Sequence, residues 1–401
     1  MASIAVLGTL DSKGEEHGFV AEQLRALGHT PLLIDVGTHD QPTVAPDITR
    51  TEVAAAGGID LPALMAREDR GECVTAMSES IPVLLKQLAD SGRIAGVISL
   101  GGGGGTAICT AAMRALPIGF PKLMVSTLAS GNTAHYVESS DIVMMPSIVD
   151  VAGLNRISRT IFTRAAGAIS GMVSVEIAES ADQRPLVVAS MFGNTTDCIG
   201  MATEMLNEAG YEVLVFHATG IGGKTMETLI RSGMVAGVLD VTTTEWADEL
   251  VGGTLSAGPT RLDAAAEMAV PAVIAPGCLD MANFGGRETV PGQFDGRTFY
   301  IHNPQVTLMR TTPAECAQLG KILAEKANTY TAPVSIMIPR KAISVISIEG
   351  QPFYDTDADS ALFAAIHKHA AVPVQDFECS INDFEFAKAC VETLLAHMAN
   401  C

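Results

Sequence analysis

The sequence predicts an α/β fold of two similar doubly wound, Rossmann-like domains with parallel sheets, produced by an internal duplication. Three observations carry that expectation. Short apolar strand-like runs alternate with helical periodicity, the pattern of successive βα units. Segments of the first half return in the second: Ser91-Gly92-Arg93-Ile94-Ala95-Gly96-Val97 as Ser232-Gly233-Met234-Val235-Ala236-Gly237-Val238, and Ala26-Leu27-Gly28-His29-Thr30-Pro31-Leu32-Leu33 as Glu208-Ala209-Gly210-Tyr211-Glu212-Val213-Leu214-Val215. Composition agrees, since 48% of residues are hydrophobic, only 5% are aromatic and 38 are glycine. That suits aliphatic layers joined by glycine turns. A length of 401 residues exceeds what one core usually supports, so a division into 1–180 and 181–401 is expected, with the joint near Glu179 to Arg184.

In chain order, Ser3 to Leu7 reads as a strand, Gly8 to Glu15 as a turn, and the following stretch to Leu27 as a helix with Phe19, Leu24 and Leu27 inward. Gly28-His29 closes that helix and Thr30 to Val36 forms the next strand. After a polar, proline-containing excursion, helical periodicity returns at Met77, Ile81, Leu84, Leu85 and Leu88. Ile94 to Thr106, IAGVISLGGGGGT, is then an apolar strand ending in five glycines, with a helix expected from near Thr106. Lys122 to Ser126 is another strand. A helix over about Leu154 to Val173 fits on either domain, and Leu186 to Ser190 opens the second.

The five-glycine turn is the centre of the functional reading. Consecutive residues without Cβ let backbone N–H groups approach an anion, and the helix that follows adds its positive end. The alternative is a flexible loop or a close backbone crossing. Neither common fingerprint fits, because no acidic residue stands at the dinucleotide spacing and no lysine follows as in a P-loop. Two further loops follow strands and converge with it in a doubly wound sheet: Gly8 to Glu15 and Ser126 to Asn132. Lys13 would reach a phosphate, and Asp11 a ribose hydroxyl or a metal-bound water. Asp11-Ser12 also reads as an ordinary N-cap and Ser130-Gly131-Asn132 as a plain turn. In the second copy the glycines are replaced by Thr242-Thr243-Thr244-Glu245-Trp246-Ala247, which suits a polar or cationic ligand, or a capping box from Thr242 to Glu245.

Lys+Arg 25 against Asp+Glu 45 gives a formal charge of -20, which repels nucleic acid and anionic membranes. A bound phosphate must then be held by local backbone dipoles. The eight cysteines form no C-x-x-C pair, and no window approaches the roughly 20 apolar residues of a membrane span. A cytoplasmic protein with reduced thiols is expected, and a homo-oligomer, most simply a two-fold dimer.

GTLDSKGEE, the five-glycine turn and STLASGN together resemble the motifs of the ATP-binding region of the tomato mosaic virus resistance protein family and its two-domain bacterial relatives. The likeness extends through the chain, including His302-Asn303-Pro304 and Thr307 to Thr312. The resemblance implies ATP, with magnesium, bound by the first domain through Gly8, Thr9, Asp11, Ser12 and Lys13, through Gly102, Gly103, Gly104, Gly105 and Thr106, and through Thr127, Ala129, Ser130 and Gly131. Ser12 stands where many relatives carry threonine. The plant members resemble this chain in part and continue into an extra barrel domain, so antiviral activity is not implied.

In the second domain, Asn194 to Asp197, Thr242 to Glu245, Asp280 with Asn283, and His302 with Arg310 are expected to line a substrate pocket. Arg310 is the expected anion clamp and His302 the expected general acid or base. His17, His29 and His39 read as surface or turn residues. Asp355 to Asp359 reads as an acidic helix start and not as a calcium loop, because the loop glycine and distal glutamate are missing. The expected function is an ATP-dependent kinase or ligase acting on a small anionic metabolite in an interdomain cleft; the alternative is a nucleotide-responsive binding protein.

Overall fold

In the computed structural model, which describes residues 2–67, 69–177 and 183–400, the chain divides into two compact units, Met1–Glu179 and Ser180–Cys401. The joint expected at Glu179 to Arg184 lies outside the described residues except at positions 183 and 184.

The first unit is a sheet of five parallel strands, β1 (Ser3–Gly8), β2 (Thr30–Asp35), β3 (Gly96–Gly101), β4 (Lys122–Ser126) and β5 (Val143–Pro146), in the order β2-β1-β3-β4-β5. Strand alternation sorts side chains onto two faces. Ala5, Leu7 and Val97 pack under helices Arg50–Ala56, Arg70–Asp90 and Gly103–Arg114, while Ile4, Val6, Ile98 and Leu100 pack under Leu10–Ala26 and Arg156–Ser174. Both faces are covered, as a doubly wound sheet requires. The helix that sequence left free to join either domain therefore belongs to the first.

Two local expectations are corrected. The first helix begins at Leu10, not after Glu15, because the Asp35 carboxylate at the end of β2 accepts the Leu10 N–H at 3.1 Å. Leu27 is 49% exposed and so not inward, while Leu24 is buried as expected with Leu10, Val20 and Ala21, and Phe19 packs against the same core. The helix ends as expected, with Gly28 at φ 85, a left-handed position that glycine adopts without strain.

The second unit carries six parallel strands, β6 (Leu186–Met191), β7 (Glu212–His217), β8 (Val235–Thr242), β9 (Ala272–Gly277), and, after a small inserted sheet, β13 (Val334–Pro339) and β14 (Val374–Phe377). Their order, β7-β6-β8-β9-β13-β14, repeats that of the first unit with one strand added at the edge. Val187, Ala189, Leu239, Val273 and Met337 pack under helices Thr196–Glu208 and Phe384–Met398. The insertion is antiparallel: β10 (Met281–Phe284), β11 (Phe299–Asn303) and β12 (Val306–Arg310) lie in the order β10-β12-β11. Among the described residues seven cysteines are buried free thiols, and no helix is long and apolar enough to cross a membrane.

Candidate functional site

An open parallel sheet forms a ligand crevice where neighbouring strands send their connections to opposite faces. In the first unit that point lies between β1 and β3, whose helices Leu10–Ala26 and Gly103–Arg114 cover opposite faces. A crevice of about 380 Å³ opens there. Thr9, Asp11, Ser12 and Lys13 line one wall and Gly101 to Gly105 the other. Two of the three sequence-predicted loops thus meet in one place. Thr38, His39 and Asp40 beyond β2 complete the wall. Sequence showed that strand end but did not connect it to the site.

Charge in the crevice is held by a scaffold of carboxylates. Asp35 accepts N–H bonds from Leu10 and Gly37 and pairs with Arg50 Nε at 2.7 Å. Asp11 accepts the His39 N–H at 2.9 Å and lies 3.8 Å from Arg50. Lys13 is in no ion pair among the described residues and breaks the helix, with φ -131 and ψ 24. That break is held by His17, which sequence had placed at the surface. The ring is fully buried, takes the Lys13 carbonyl on Nδ1 at 2.6 Å and meets the Leu100 N–H at Nε2. Nδ1 therefore donates and Nε2 accepts, the pattern of a neutral imidazole. Burial holds its pKa below the ordinary 6.5. A Cβ on Gly8 would collide with this ring, so Gly8 is required for packing and does not itself line the crevice.

The glycine run behaves differently. Gly103 to Gly105 are helical, starting from Gly102 at φ -90, and no side chain caps the helix start. None of Gly102 to Gly105 has a positive φ. A Cβ would find nothing within 4 Å at Gly104, and only ordinary contacts at 3.8 to 3.9 Å at Gly102, Gly103 and Gly105. Neither backbone conformation nor packing asks for glycine there, although each helical glycine costs about 0.5–1 kcal/mol relative to alanine. Thr106 is buried, its hydroxyl bonded to Ser126 at 2.7 Å, and ties the first turns of the helix Gly103–Arg114 to the end of β4 without facing the crevice.

The third loop lies beside this crevice. Thr127 donates its N–H to Gly101, and its hydroxyl is the nearest atom to a Cβ on Gly102. Thr127 and Ser130 line a separate cavity of about 280 Å³ with Ser147, Ile148 and Asp150. Ala129 and Gly131 line neither cavity and close turns through Ser126 and Leu128 carbonyls. Ile148 is 73% exposed at φ 68, inside a three-residue turn closed by Val149 N–H to Ser147 O. A β-branched residue is strained in that conformation.

In the second unit the corresponding turn is filled by the protein itself. Glu245 is buried, accepts the N–H groups of Gly220 and Gly223 at 2.7 and 3.1 Å, and pairs with Arg261 at 2.7 Å. Arg261 also grips Asp240 with two nitrogens and reaches Glu227 at 3.3 Å. Thr242, Thr243 and Thr244 are buried and bonded to Thr195, Ala275 and Met281. The turn is therefore neither a capping box nor a substrate surface, and its carboxylate is spent on the N–H groups at the start of the neighbouring helix Ile221–Arg231.

The expected pair His302 and Arg310 does not assemble. They occupy opposite ends of the β11–β12 hairpin, with His302 exposed near its turn and Arg310 buried at its base. Arg310 donates to Phe353 O at 2.8 Å, Thr311 Oγ1 at 3.2 Å, Asp355 O at 3.3 Å and Asp359 Oδ1 at 2.6 Å. Every guanidinium nitrogen is engaged inside the fold, so the anion-clamp role is withdrawn. Nearby Asp280 is buried, donor Ser344 reaches its Oδ2 at 2.7 Å, and burial pushes its carboxyl up to about 6 against the pull of Arg310. Asp355 caps the helix Thr356–His369, as the acidic helix start predicted. Among the described residues no three His, Cys, Asp or Glu side chains cluster as a metal site.

Comparison with known proteins places this geometry in a lineage. A protein of Clostridium tetani described as "UPF0261 protein" is 47% identical over 398 residues, covering 98% of each chain. The tomato (Solanum lycopersicum) "ToMV resistance protein Tm-1(GCR237)" is 41% identical over 335 residues, spanning 81% of this chain but 44% of its own length. Among solved structures, a UDP-N-acetylglucosamine 2-epimerase from Rickettsia bellii aligns at 11% identity with a TM-score of 0.22, covering 68% of this chain and 78% of its own. The N-terminal domain of the uncharacterised protein family UPF0261 matches residues 2–178 and its C-terminal domain residues 184–398. The chain belongs to the UPF0261 family, in both of its domains, and is homologous to the tomato Tm-1 proteins.

Proposed function

We propose that the first unit binds ATP and that the protein is an ATP-dependent enzyme, of kinase or ligase type, acting on a small anionic metabolite. The observation that carries the nucleotide part is the run Gly102 to Gly105: four glycines that neither φ nor packing explains, lining a crevice at the point where the strand order reverses. Their remaining use is close approach of a ligand to backbone N–H groups. Lys13, in no ion pair among the described residues, supplies the lysine or arginine of the described crevice lining. Asp11 and Asp40 are the carboxylates within the crevice, suited to ribose hydroxyls or to the water shell of magnesium carried in on phosphate oxygens.

The test is a titration of MgATP into the wild type and into Gly104→Val and Gly104→Ala. Valine should lower affinity by at least about tenfold, while alanine, at a helical position with open space, should add about 0.5–1 kcal/mol of folding stability. Unchanged affinity in a folded Gly104→Val protein contradicts the reading. A nucleotide-responsive protein without turnover is the second reading, favoured by the separation of His302 from Arg310. Incubation with MgATP and metabolite pools separates the two, since an enzyme releases ADP or AMP together with a modified metabolite.

A further inference from the structure

The second unit contains an open cavity of about 570 Å³ at the C-terminal ends of β6 and β7, walled on one side by the β11–β12 hairpin. Its apolar surface comes chiefly from Phe192, Tyr300, Leu308 and Ile346, and its polar groups include His217, His302 and Asn194. Among the described residues no Asp, Glu, Lys or Arg lines it, in a chain with 45 acidic residues. Apart from the Tyr300 phenol, the two imidazoles are its ionisable side chains.

The walls are anchored from several directions. The His217 ring meets the Phe192 ring edge-on at 5.4 Å. The Asn194 carbonyl accepts Asn382 Nδ2 at 3.0 Å, which fixes the loop after β6. Gly193 and Asn194 lead directly into the helix Thr196–Glu208, whose positive end favours an acceptor nearby.

We propose that this cavity binds a small monocarboxylic acid with an aromatic or branched aliphatic body, its carboxylate between His217 and His302 and its body against Phe192, Tyr300 and Leu308. The volume lies in the range of small-molecule sites, about 300–1,000 Å³. With no lysine or arginine among its described lining the cavity cannot neutralise a polyphosphate, and with no carboxylate it offers no partner to a cation, so a singly charged anion that meets two imidazole donors fits best. This names the class of metabolite in the enzymatic reading above and rests on that reading for its catalytic relevance. The binding claim stands on the second unit alone.

The experiment uses the intact protein with histidine rings carbon-labelled at Cε1, titrated without nucleotide with phenylacetate and 3-methylbutanoate and with their neutral amides. His217→Gln and His302→Gln assign the two ring signals. Expected are saturable shifts of both rings with the acids, about tenfold weaker binding of the amides, and a loss of about tenfold or more in His302→Gln and in Val345→Trp, which fills the cavity from its rim. Val345 is 42% exposed, so the tryptophan is not forced into the core. MgATP affinity should be equal in all of these proteins. Absence of a saturable shift up to about 10 mM acid, equal binding of acid and amide, or binding untouched in both variants overturns the proposal. A protein that binds the acids but not MgATP would instead overturn the nucleotide reading while leaving this one standing.

Discussion

At single positions, buried chemistry decides more than exposed chemistry. His17 sits neutral among Gly8, Lys13 and Leu100, and its native pKa lies below the unfolded value of 6.5. The unfolded chain therefore takes up more protons once pH falls below that value, and the first unit loses stability as pH drops through it. Urea unfolding of the wild type and His17→Gln between pH 7.5 and 5 should show a steeper acid loss in the wild type. Equal slopes would remove His17 from the account. Ile148 is the converse case, an exposed side chain held in a left-handed turn. Ile148→Gly should raise stability by about 1 kcal/mol by releasing that strain, and a fall would mean that the side chain makes stabilising contacts.

At the scale of elements, Arg310 joins the inserted sheet to the start of helix Thr356–His369 through Phe353, Asp355 and Asp359. Arg310→Lys keeps one charge but cannot span these acceptors, so folding stability should fall by about 2 kcal/mol with MgATP affinity unchanged. Retained stability with weakened ligand binding would restore the clamp. Sequence disclosed those elements whose signals are local. The strand Lys122 to Ser126 is found where its apolar run placed it, and the duplicated Ser-Gly turns carry Gly92 at φ 68 and Gly233 at φ 79. It missed what long-range partners impose. Leu10 starts a helix because Asp35, 25 residues on, caps it. The β10–β12 insertion pairs segments of ordinary, partly polar sequence across a long connection, and Arg310 looked available because Asp359 lies 49 residues away. Of the site, the two loops after β1 and β3 were legible, since glycine runs and helix starts are local features. Thr38, His39 and Asp40 were not, because only the sheet order brings the end of β2 beside them.

Across the whole molecule, duplication has left two units with one strand order and opposite solutions at the turn after the third strand. The first presents bare backbone to a crevice; the second fills the equivalent turn with Glu245, already bonded to Gly220, Gly223 and Arg261. With a formal charge of -20 the molecule attracts no anion at long range, so a phosphate must be captured by local donors, and the first unit sets its glycine turn on a crevice where the second buries a carboxylate. Amide hydrogen exchange of the intact protein with and without MgATP tests this most directly. Slowed exchange is predicted at residues 9–13 and 101–106, with none at 242–247. Protection confined to 242–247, or no protection anywhere at saturating MgATP, would contradict the assignment of the nucleotide to the glycine crevice of the first unit.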